Sequence, residues 1–365
     1  MPSVKLLDTG IIDDREAAFP LAIQRPDGEI LCSYGVGGGA LVTGHTEYSS
    51  SSDNGRTWTR RGVILPKDES LSRANFLKLT QSADAKTIYA YGSWVSDEVD
   101  DGFGERDMRA IYCASDDGGA TWSNEVSVPF PEDCPLEVSH GILTLASGRL
   151  LAPAATLPAK DRYGESVYVA RSDDHGDSWQ YSKAFACPYG HRGFFEHKFV
   201  EVAPDMILGV CWTVQLDGYV DQNNTYVVSR DGGETWSVPQ DTGLKGQTMT
   251  PVRLANDKLL VLYNQRQGEQ GIRALLVNLS EDGWKICHES TLYDARSNYQ
   301  RGADVESGVD EFDAFQFGFP TGIELANGSI LTTHWCHEGG RCVVRWSLLE
   351  VDWDCFREVG REKNE

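Results

Sequence analysis

The sequence has little positive charge and no long apolar run. Its 365 residues include 33 lysines and arginines against 55 aspartates and glutamates, a formal net charge of −22. That balance argues against nucleic acid and anionic membranes as partners, although a few clustered arginines would still accept a small anionic substrate. No stretch reaches transmembrane length, and the N-terminal residues lack the apolar run of a signal peptide. We therefore expect a cytoplasmic protein, or a secreted one if a leader has been removed.

Paired cysteines and helical periodicity are also missing. The cysteine count is nine, which is odd, and no C-x-x-C string occurs, so neither a zinc site nor a disulfide framework is predicted. We expect mostly buried, reduced thiols, and Cys336 and Cys342 are the one pair that could flank a hairpin. Apolar residues at helical spacing are almost absent. The 10 Trp, 14 Tyr and 13 Phe nevertheless supply a large core, which argues against disorder.

One eight-residue pattern occurs four times along the chain. The copies are SSDNGRTW, SDDGGATW, SDDHGDSW and SRDGGETW, which begin at residues 51, 115, 172 and 229. A degraded fifth copy, SEDGW, begins at residue 280. Spacings of 50 to 65 residues indicate stacked supersecondary units.

A second pattern repeats with the same period. An apolar run, a turn rich in Asp, Asn or Gly, and a second apolar run predict a β-hairpin. Clear examples are FPLAIQRPDGEILCSY, HGILTLASGRLLAPA, TPVRLANDKLLVLY and FPTGIELANGSILTTHW, and two looser ones begin at residues 76 and 198. Six hairpins, each followed by a third strand and usually by the eight-residue pattern, predict six four-stranded units.

These repeats resemble the Asp boxes of sialidases. The resemblance covers nearly the whole chain and implies an all-β, six-bladed β-propeller of four-stranded antiparallel blades, with residues 1–365 forming one domain. The strand-like segment SVKLLDTGIID near the N-terminus would supply the outer strand of the last blade and close the ring. The resemblance also places each box between the two outer strands of a blade, on the face away from the active site.

The box residues themselves have a structural explanation. In the fourth copy, Gly233 would allow a positive φ, Asp231 would accept backbone N–H bonds inside the turn, and Trp236 would pack between blades. We therefore interpret the box aspartates as structural rather than catalytic. The DDHGD string has the wrong ligand spacing for an EF-hand.

The candidate site residues lie where the predicted topology brings inner strands and their neighbouring loops to the mouth of the channel. Arginines bind carboxylate, sulfate or phosphate, tryptophans stack on sugars, and a carboxylate near a histidine can transfer protons. The alternative is that some of them form salt bridges at the rim. The catalytic candidates are Glu196, His140 and Asp313. The substrate-binding candidates are Arg73, Arg266, Arg341, His197, Trp94, Trp212 and Gln316.

The resemblance to sialidases is incomplete at the catalytic positions. The Arg-Ile-Pro string of that family aligns with Pro20, but Ala18 stands at the arginine position. The loop before the first box lacks the expected aspartate and offers His45 and Glu47. Glu196 matches the family glutamate that polarises a nucleophilic tyrosine. The stretch expected to hold that tyrosine, FQFGFP, contains three phenylalanines.

The scaffold and the altered positions together suggest a carbohydrate-active enzyme. We expect an exo-acting glycoside hydrolase for an acidic or sulfated sugar, with Glu196 as a catalytic carboxylate and His140 assisting proton transfer. The long segment 294–316 should cover the channel, and Asp310, Glu311 or Asp313 could supply an acid. An exo-sialidase with a divergent site, a histidine-assisted lyase and a non-catalytic glycan- or protein-binding propeller remain alternatives. No cofactor is predicted, a structural calcium ion is left open, and the oligomeric state is not predicted.

Overall fold

The computed structural model describes residues 2–97, 105–187, 190–255, 257–280, 283–295 and 315–352. These residues form 26 β-strands, β1 to β26, and two 3-10 turns, Gly39–Leu41 and Asp217–Tyr219. The strands form six antiparallel sheets arranged as the blades of a propeller. The predicted all-β, six-bladed propeller is therefore confirmed.

Each of the first three blades follows chain order from the channel outwards. Blade 1 contains β2 (Ala17–Gln24), β3 (Ile30–Val36), β4 (His45–Ser51) and β5 (Thr59–Leu65). Blade 2 contains β6 (Arg73–Gln81), β7 (Ile88–Ser96), β8 (Met108–Ser115) and β9 (Val126–Ser127). Blade 3 has a divided inner strand and contains β10 (Leu136–Glu137), β11 (Leu143–Thr144), β12 (Leu150–Thr156), β13 (Ser166–Ser172) and β14 (Gln180–Ala186).

The remaining blades complete the ring. Blade 4 contains β15 (Arg192–Ala203), β16 (Met206–Gln215), β17 (Val220–Asp221), β18 (Asn223–Ser229) and β19 (Gln240–Lys245). Blade 5 contains β20 (Met249–Arg253), β21 (Leu259–Gln265), β22 (Gly271–Ser280) and β23 (Gly283–Asp294). Blade 6 contains β24 (Phe317–Glu324), β25 (Ile330–Glu338), β26 (Arg341–Asp352) and β1 (Ser3–Asp13).

The N-terminal strand closes the ring as predicted. β1 pairs with β26 from Ser3 opposite Asp352 to Asp13 opposite Val344. Thr9 Oγ1 donates a hydrogen bond of 2.7 Å to the Trp346 carbonyl. Strands from the beginning and the end of the described chain thus pair within blade 6, and this pairing closes the ring.

The Asp boxes form the turns between the two outer strands of blades 1 to 4. In the fourth box, Asp231 Oδ1 accepts the backbone N–H of Thr235 at 2.9 Å, and Ser229 Oγ accepts that of Gly233. Gly233 has a φ of 88°, and Trp236 Nε1 donates to Ser182 Oγ of blade 3. Because alternate strands run in opposite directions, these turns lie where the inner strands end. We call this the lower face, and the face where the inner strands begin the upper face.

The described cysteines have free thiols, and most of them are buried. Cys336 and Cys342 are both free. In the β25–β26 register Cys336 faces Val343 and Cys342 faces His337, so the two thiols are not a cross-strand pair. Cys342 Sγ lies 2.9 Å from His337 Nε2, and burial raises the pKa of this thiol to about 11.

Candidate functional site

Three inner strands share a bulge at the same depth in the channel. Their registers shift at Phe19 in blade 1, Glu196 in blade 4 and Phe319 in blade 6. All three residues have positive φ angles, of 56°, 47° and 52°. Such angles are uncommon for residues other than glycine and often mark functional positions. Glu196 therefore occupies, in blade 4, the bulge position that phenylalanine fills in two other blades.

A cluster of polar side chains surrounds Glu196 at the upper end of the channel. The Glu196 backbone N–H donates to Glu137 Oε2 at 3.3 Å, and Thr248 Oγ1 donates to Glu196 Oε2. Next in the chain to Thr248, Gln247 Oε1 accepts a hydrogen bond from Arg266 Nε. We call these five residues the upper cluster. It contains the predicted site residues Glu196 and Arg266. Glu137 and Thr248 were expected at the channel mouth without an assigned role, and Gln247 was not predicted.

The two carboxyl groups of the upper cluster have raised pKa values. Burial, followed by the nearby Glu196 charge, raises the pKa of Glu137 to about 7. Burial also raises the pKa of Glu196, against the opposing charges of Lys198 and Arg266. Both carboxyl groups therefore ionise at a higher pH than an exposed glutamate does.

Arg266 lies among aromatic rings beside the cluster. Its Cζ atom is 3.6 Å from the centre of the Phe315 ring and 4.6 Å from that of Phe317. A Cβ atom at Gly318 would lie 3.0 Å from Arg266 Nη2, 3.2 Å from Trp335 Nε1 and 3.3 Å from an Asn264 amide atom. Arg266 Nη2 donates to the Phe317 carbonyl, so the guanidinium packs tightly against the Gly318 backbone and leaves no room for a side chain there.

Two buried lysines lie below the upper cluster. Lys78 Nζ donates to the Val138 carbonyl at 2.7 Å and lies 3.7 Å from the Phe76 ring centre. Lys198 Nζ donates to the Ser139 carbonyl and lies 3.9 Å from the Phe319 ring centre. Both side chains are fully buried, and burial lowers both pKa values. Neither lysine was predicted as a site residue. A lysine inside an apolar inner strand, as in FLKLTQ, is the feature of the sequence that indicates such a position.

His140 does not join the upper cluster, contrary to the expectation of one shared pocket. It lines a cavity on the lower face together with Lys198. His140 Nδ1 donates to the Gly141 carbonyl at 2.8 Å. Burial, then the charge of Lys198, lowers the pKa of His140 to about 3. The ring is neutral at physiological pH and turned away from the upper mouth.

Two other predicted contact residues are enclosed by the protein. Trp212 is 1% exposed, and its Nε1 donates to Asp221 at 2.8 Å, so its face is not available to stack on a sugar. His197 is fully buried, with Nδ1 3.6 Å from Glu137 Oε2. The burial of both side chains contradicts the expectation that Trp212 and His197 contact substrate. His197 instead packs behind Glu137.

The remaining candidates lie around the upper rim. Arg73 stacks over Trp94, with its Cζ 4.0 Å from the ring centre. Arg341 is 3.6 Å from Asp14, and both are exposed, which matches the rim ion pair considered as an alternative. Gln316 directly precedes β24, and its carbonyl accepts the His337 N–H at 2.8 Å. Asp310, Glu311 and Asp313 lie outside the described residues.

The positions that differ from sialidases are occupied by packed side chains. Ala18 and Phe317 are fully buried, and Phe319 is nearly so. Glu47 is 2% exposed and accepts hydrogen bonds from Arg15 and Arg60, so it serves an ion-pair network rather than the channel. Of the catalytic positions compared with sialidases, Glu196 is the one where the expected residue type is present.

Comparisons with known proteins agree with this architecture. The profile of the BNR repeat-like domain family matches residues 79–331. A search of curated proteins finds no match. A protein of unknown function from Dyadobacter fermentans is 21% identical with a TM-score of 0.77, over 96% of this chain and 100% of that one.

Two enzymes share the fold at lower identity. The NanB sialidase from Streptococcus pneumoniae is 14% identical with a TM-score of 0.63, covering 95% of this chain and 70% of that one. The α-L-arabinanase from Penicillium chrysogenum, in complex with arabinobiose, is 14% identical with a TM-score of 0.64, covering 94% and 98%. The resemblance to sialidase-like propellers is thus confirmed at the level of the fold.

The described residues contain neither a metal-binding cluster nor a membrane-spanning helix. No group of three or more His, Cys, Asp or Glu side chains there is arranged to hold a metal ion. Within the same residues, no helix has the length and apolar character to cross a membrane.

Proposed function

Because the chain belongs to the family of BNR repeat-like domains, we propose that it is a glycoside hydrolase acting at the upper mouth of its channel. The observation that carries the proposal is the pair Glu137 and Glu196, held in contact by the Glu196 N–H bond of 3.3 Å. Glycoside hydrolysis commonly uses two carboxyl groups, one protonated and one ionised. The sialidase and the arabinanase that share this fold are both named for activities on carbohydrates, which supports the same substrate class here.

The environments of the two carboxyl groups suit different roles. Glu137 is 5% exposed with a pKa raised to about 7, which suits a general acid that protonates the leaving glycosidic oxygen. Glu196 is less buried and hydrogen-bonded by Thr248, which suits the ionised partner. We assign Arg266 of the upper cluster to an acidic substituent of the sugar, because a guanidinium binds carboxylate or sulfate through paired hydrogen bonds. The proposed substrate is therefore an acidic glycoside.

A hydrolysis screen tests the proposal. The purified chain is assayed against nitrophenyl and methylumbelliferyl glycosides, including sialic acid and uronic acid conjugates, beside Glu196→Gln. We expect turnover of an acidic conjugate that Glu196→Gln lowers by about 10²- to 10⁴-fold, the usual contribution of such a group.

The matched control is Glu165→Gln. Glu165 pairs with Arg162 at 2.5 Å outside the upper cluster, so this variant should retain full activity. Turnover that survives Glu196→Gln would remove Glu196 from the catalytic role. Loss of activity in both variants would indicate damage to the fold instead.

A second function, glycan binding without catalysis, is favoured by the buried residues at the sialidase positions. Ala18 and Phe317 are fully buried, so neither the arginine nor the tyrosine of a sialidase has a counterpart there. If the screen is silent while a glycan array shows binding that Arg266→Met abolishes, the binding function is the correct one.

A further inference from the structure

The lower face has a cavity that the proposed hydrolase does not use. Its volume is about 540 Å³, and residues from all six blades line it. Its walls are mainly aliphatic and come from the second halves of the inner strands: Leu21, Ile23, Leu79, Val200, Val252 and Ile323. A concave apolar cavity of this size with a few convergent polar groups is the usual form of a small-molecule site.

Three of the lining residues carry polar groups suited to ligand binding: Lys198, Thr250 and His140. Thr250 is 7% exposed, and its Oγ1 has no hydrogen-bond partner among the described residues. Lys198 Nζ has one hydrogen bond, to the Ser139 carbonyl. Within the part of the chain that the structure describes, no carboxylate lies within ion-pairing distance of this ammonium. A buried ammonium with donors to spare and an unpartnered hydroxyl together favour an anionic oxygen.

His140 contributes a hydrogen-bond acceptor to the cavity. Its Nδ1–H donates to the Gly141 carbonyl at 2.8 Å, so the neutral ring presents Nε2 as an acceptor. A ligand that forms hydrogen bonds with Lys198, Thr250 and His140 must therefore offer one anionic acceptor and one hydrogen-bond donor.

The charge of the lining supports an anion. Arg253 Nη2 is paired with Asp257 at 3.0 Å, so Lys198 is the lining cation without an ion pair among the described residues. Burial lowers the pKa of Lys198 to about 8, against the opposing charges of Glu196 and Glu137, so the ammonium still predominates at neutral pH. Lys198 therefore supplies the positive charge of this cavity.

We propose that the lower cavity binds a hydroxycarboxylic acid with an aliphatic body. Lys198 and Thr250 hold its carboxylate, and His140 Nε2 accepts a hydrogen bond from its hydroxyl group. The aliphatic body lies against the apolar walls. This site is on the opposite face from the upper cluster, and it stands whether or not the upper cluster hydrolyses glycosides.

Calorimetric titration with three probes tests the proposal. The probes are 2-hydroxyhexanoate, hexanoate, which lacks the 2-hydroxyl group, and hexan-1-ol, which lacks the carboxylate. We expect 2-hydroxyhexanoate to bind tightest and hexan-1-ol weakest. Thr250→Val should weaken both acids by about five- to tenfold, the effect of one hydrogen bond. His140→Phe should weaken 2-hydroxyhexanoate while leaving hexanoate unchanged.

Two control variants make the result specific. Thr144 also has a hydroxyl without a partner among the described residues, but it does not line the cavity, so Thr144→Val should bind every probe normally. Arg73→Ala alters the upper rim and should also leave binding unchanged. The proposal is overturned if the folded wild-type chain binds neither acid, if Thr250→Val has no effect, or if Arg73→Ala abolishes binding. Such a result would leave the glycoside screen unaffected.

Discussion

At the scale of single residues, an irregular backbone sets the position of Glu196 in the channel. The bulge in β15 gives it a φ of 47° and brings its N–H to within 3.3 Å of Glu137 Oε2. Such a conformation is costly for a side chain other than glycine, and Phe19 and Phe319 adopt it at the corresponding bulges of blades 1 and 6. The string FFEHKF predicted Glu196 as a site residue. It gave no sign of Glu137 as its partner, because that contact joins blades 3 and 4.

The raised pKa of Glu137 leads to a stability prediction that needs no substrate. Its pKa of about 7 in the folded chain, raised by burial and Glu196, exceeds the value near 4.3 of an unfolded glutamate. Its contribution to stability is therefore complete below about pH 4.3 and is lost as the pH rises through about 7. We expect Glu137→Gln to become more stable relative to wild type between pH 5 and pH 8. Urea unfolding at several pH values measures this difference.

The surface variant Glu165→Gln serves as the control for Glu137→Gln. It should follow the pH dependence of the wild type, because Glu165 is paired with Arg162 and lies outside the upper cluster. Parallel curves for Glu137→Gln and wild type would show that Glu137 is ionised in the folded chain across this range.

At the scale of elements, the Asp boxes explain why the fold could be predicted from sequence. Each box closes its turn with its own side chains, as when Thr235 Oγ1 and N–H both bond to Asp231. Local chemistry of this kind is visible in a single sequence, as is the alternation of each hairpin. The depth of His140 and the burial of Trp212 depend on contacts between blades. Strand order alone therefore placed His140 at the wrong level, and it placed Trp212 correctly opposite Phe195 without showing that the ring is buried.

The fourth box also yields a prediction about acid stability. Partial burial raises the pKa of Asp231, but the hydrogen bonds from Thr235, Ser229 and Glu234 outweigh it and lower the pKa to about 2. The stabilisation is therefore present above about pH 4, the unfolded value, and is lost as the pH falls through about 2. Asp231→Ala should cost about 1–3 kcal/mol at pH 7, from the broken hydrogen bonds. It should also show a smaller further loss between pH 4 and pH 2 than wild type.

Asp177 provides the comparison for Asp231. It is exposed and lies in the third box at the variable position before Ser178, so Asp177→Ala should change the free energy of unfolding by less than about 0.5 kcal/mol. Equal losses in the two variants, measured by urea unfolding at pH 7, would contradict a special role for the box aspartate.

At the scale of the whole molecule, stability depends on the contact that closes the ring. β1 is the outer strand of blade 6, and Gly10 faces the ring of Trp346 on β26. A Cβ atom at Gly10 would lie 2.8 Å from Trp346 Nε1 and 2.9 Å from two of its ring carbons. Glycine is therefore required here for close approach, and this contact between distant parts of the sequence could not be read from either segment alone.

Substitution of Gly10 tests how strongly closure stabilises the propeller. Gly10→Ala should lower the free energy of unfolding by about 1–3 kcal/mol, because the Trp346 ring must move from the strand that it covers. Gly62, on the outer strand β5 of blade 1, is the matched control, since a Cβ atom there has no neighbour within 4 Å. Gly62→Ala should change stability by no more than about 0.5 kcal/mol. If urea unfolding showed equal stability for the two variants, the ring would be closed by the β1–β26 backbone pairing without a contribution from this packing. A loss confined to Gly10→Ala would show that the Trp346 contact contributes to holding the N-terminal strand in place.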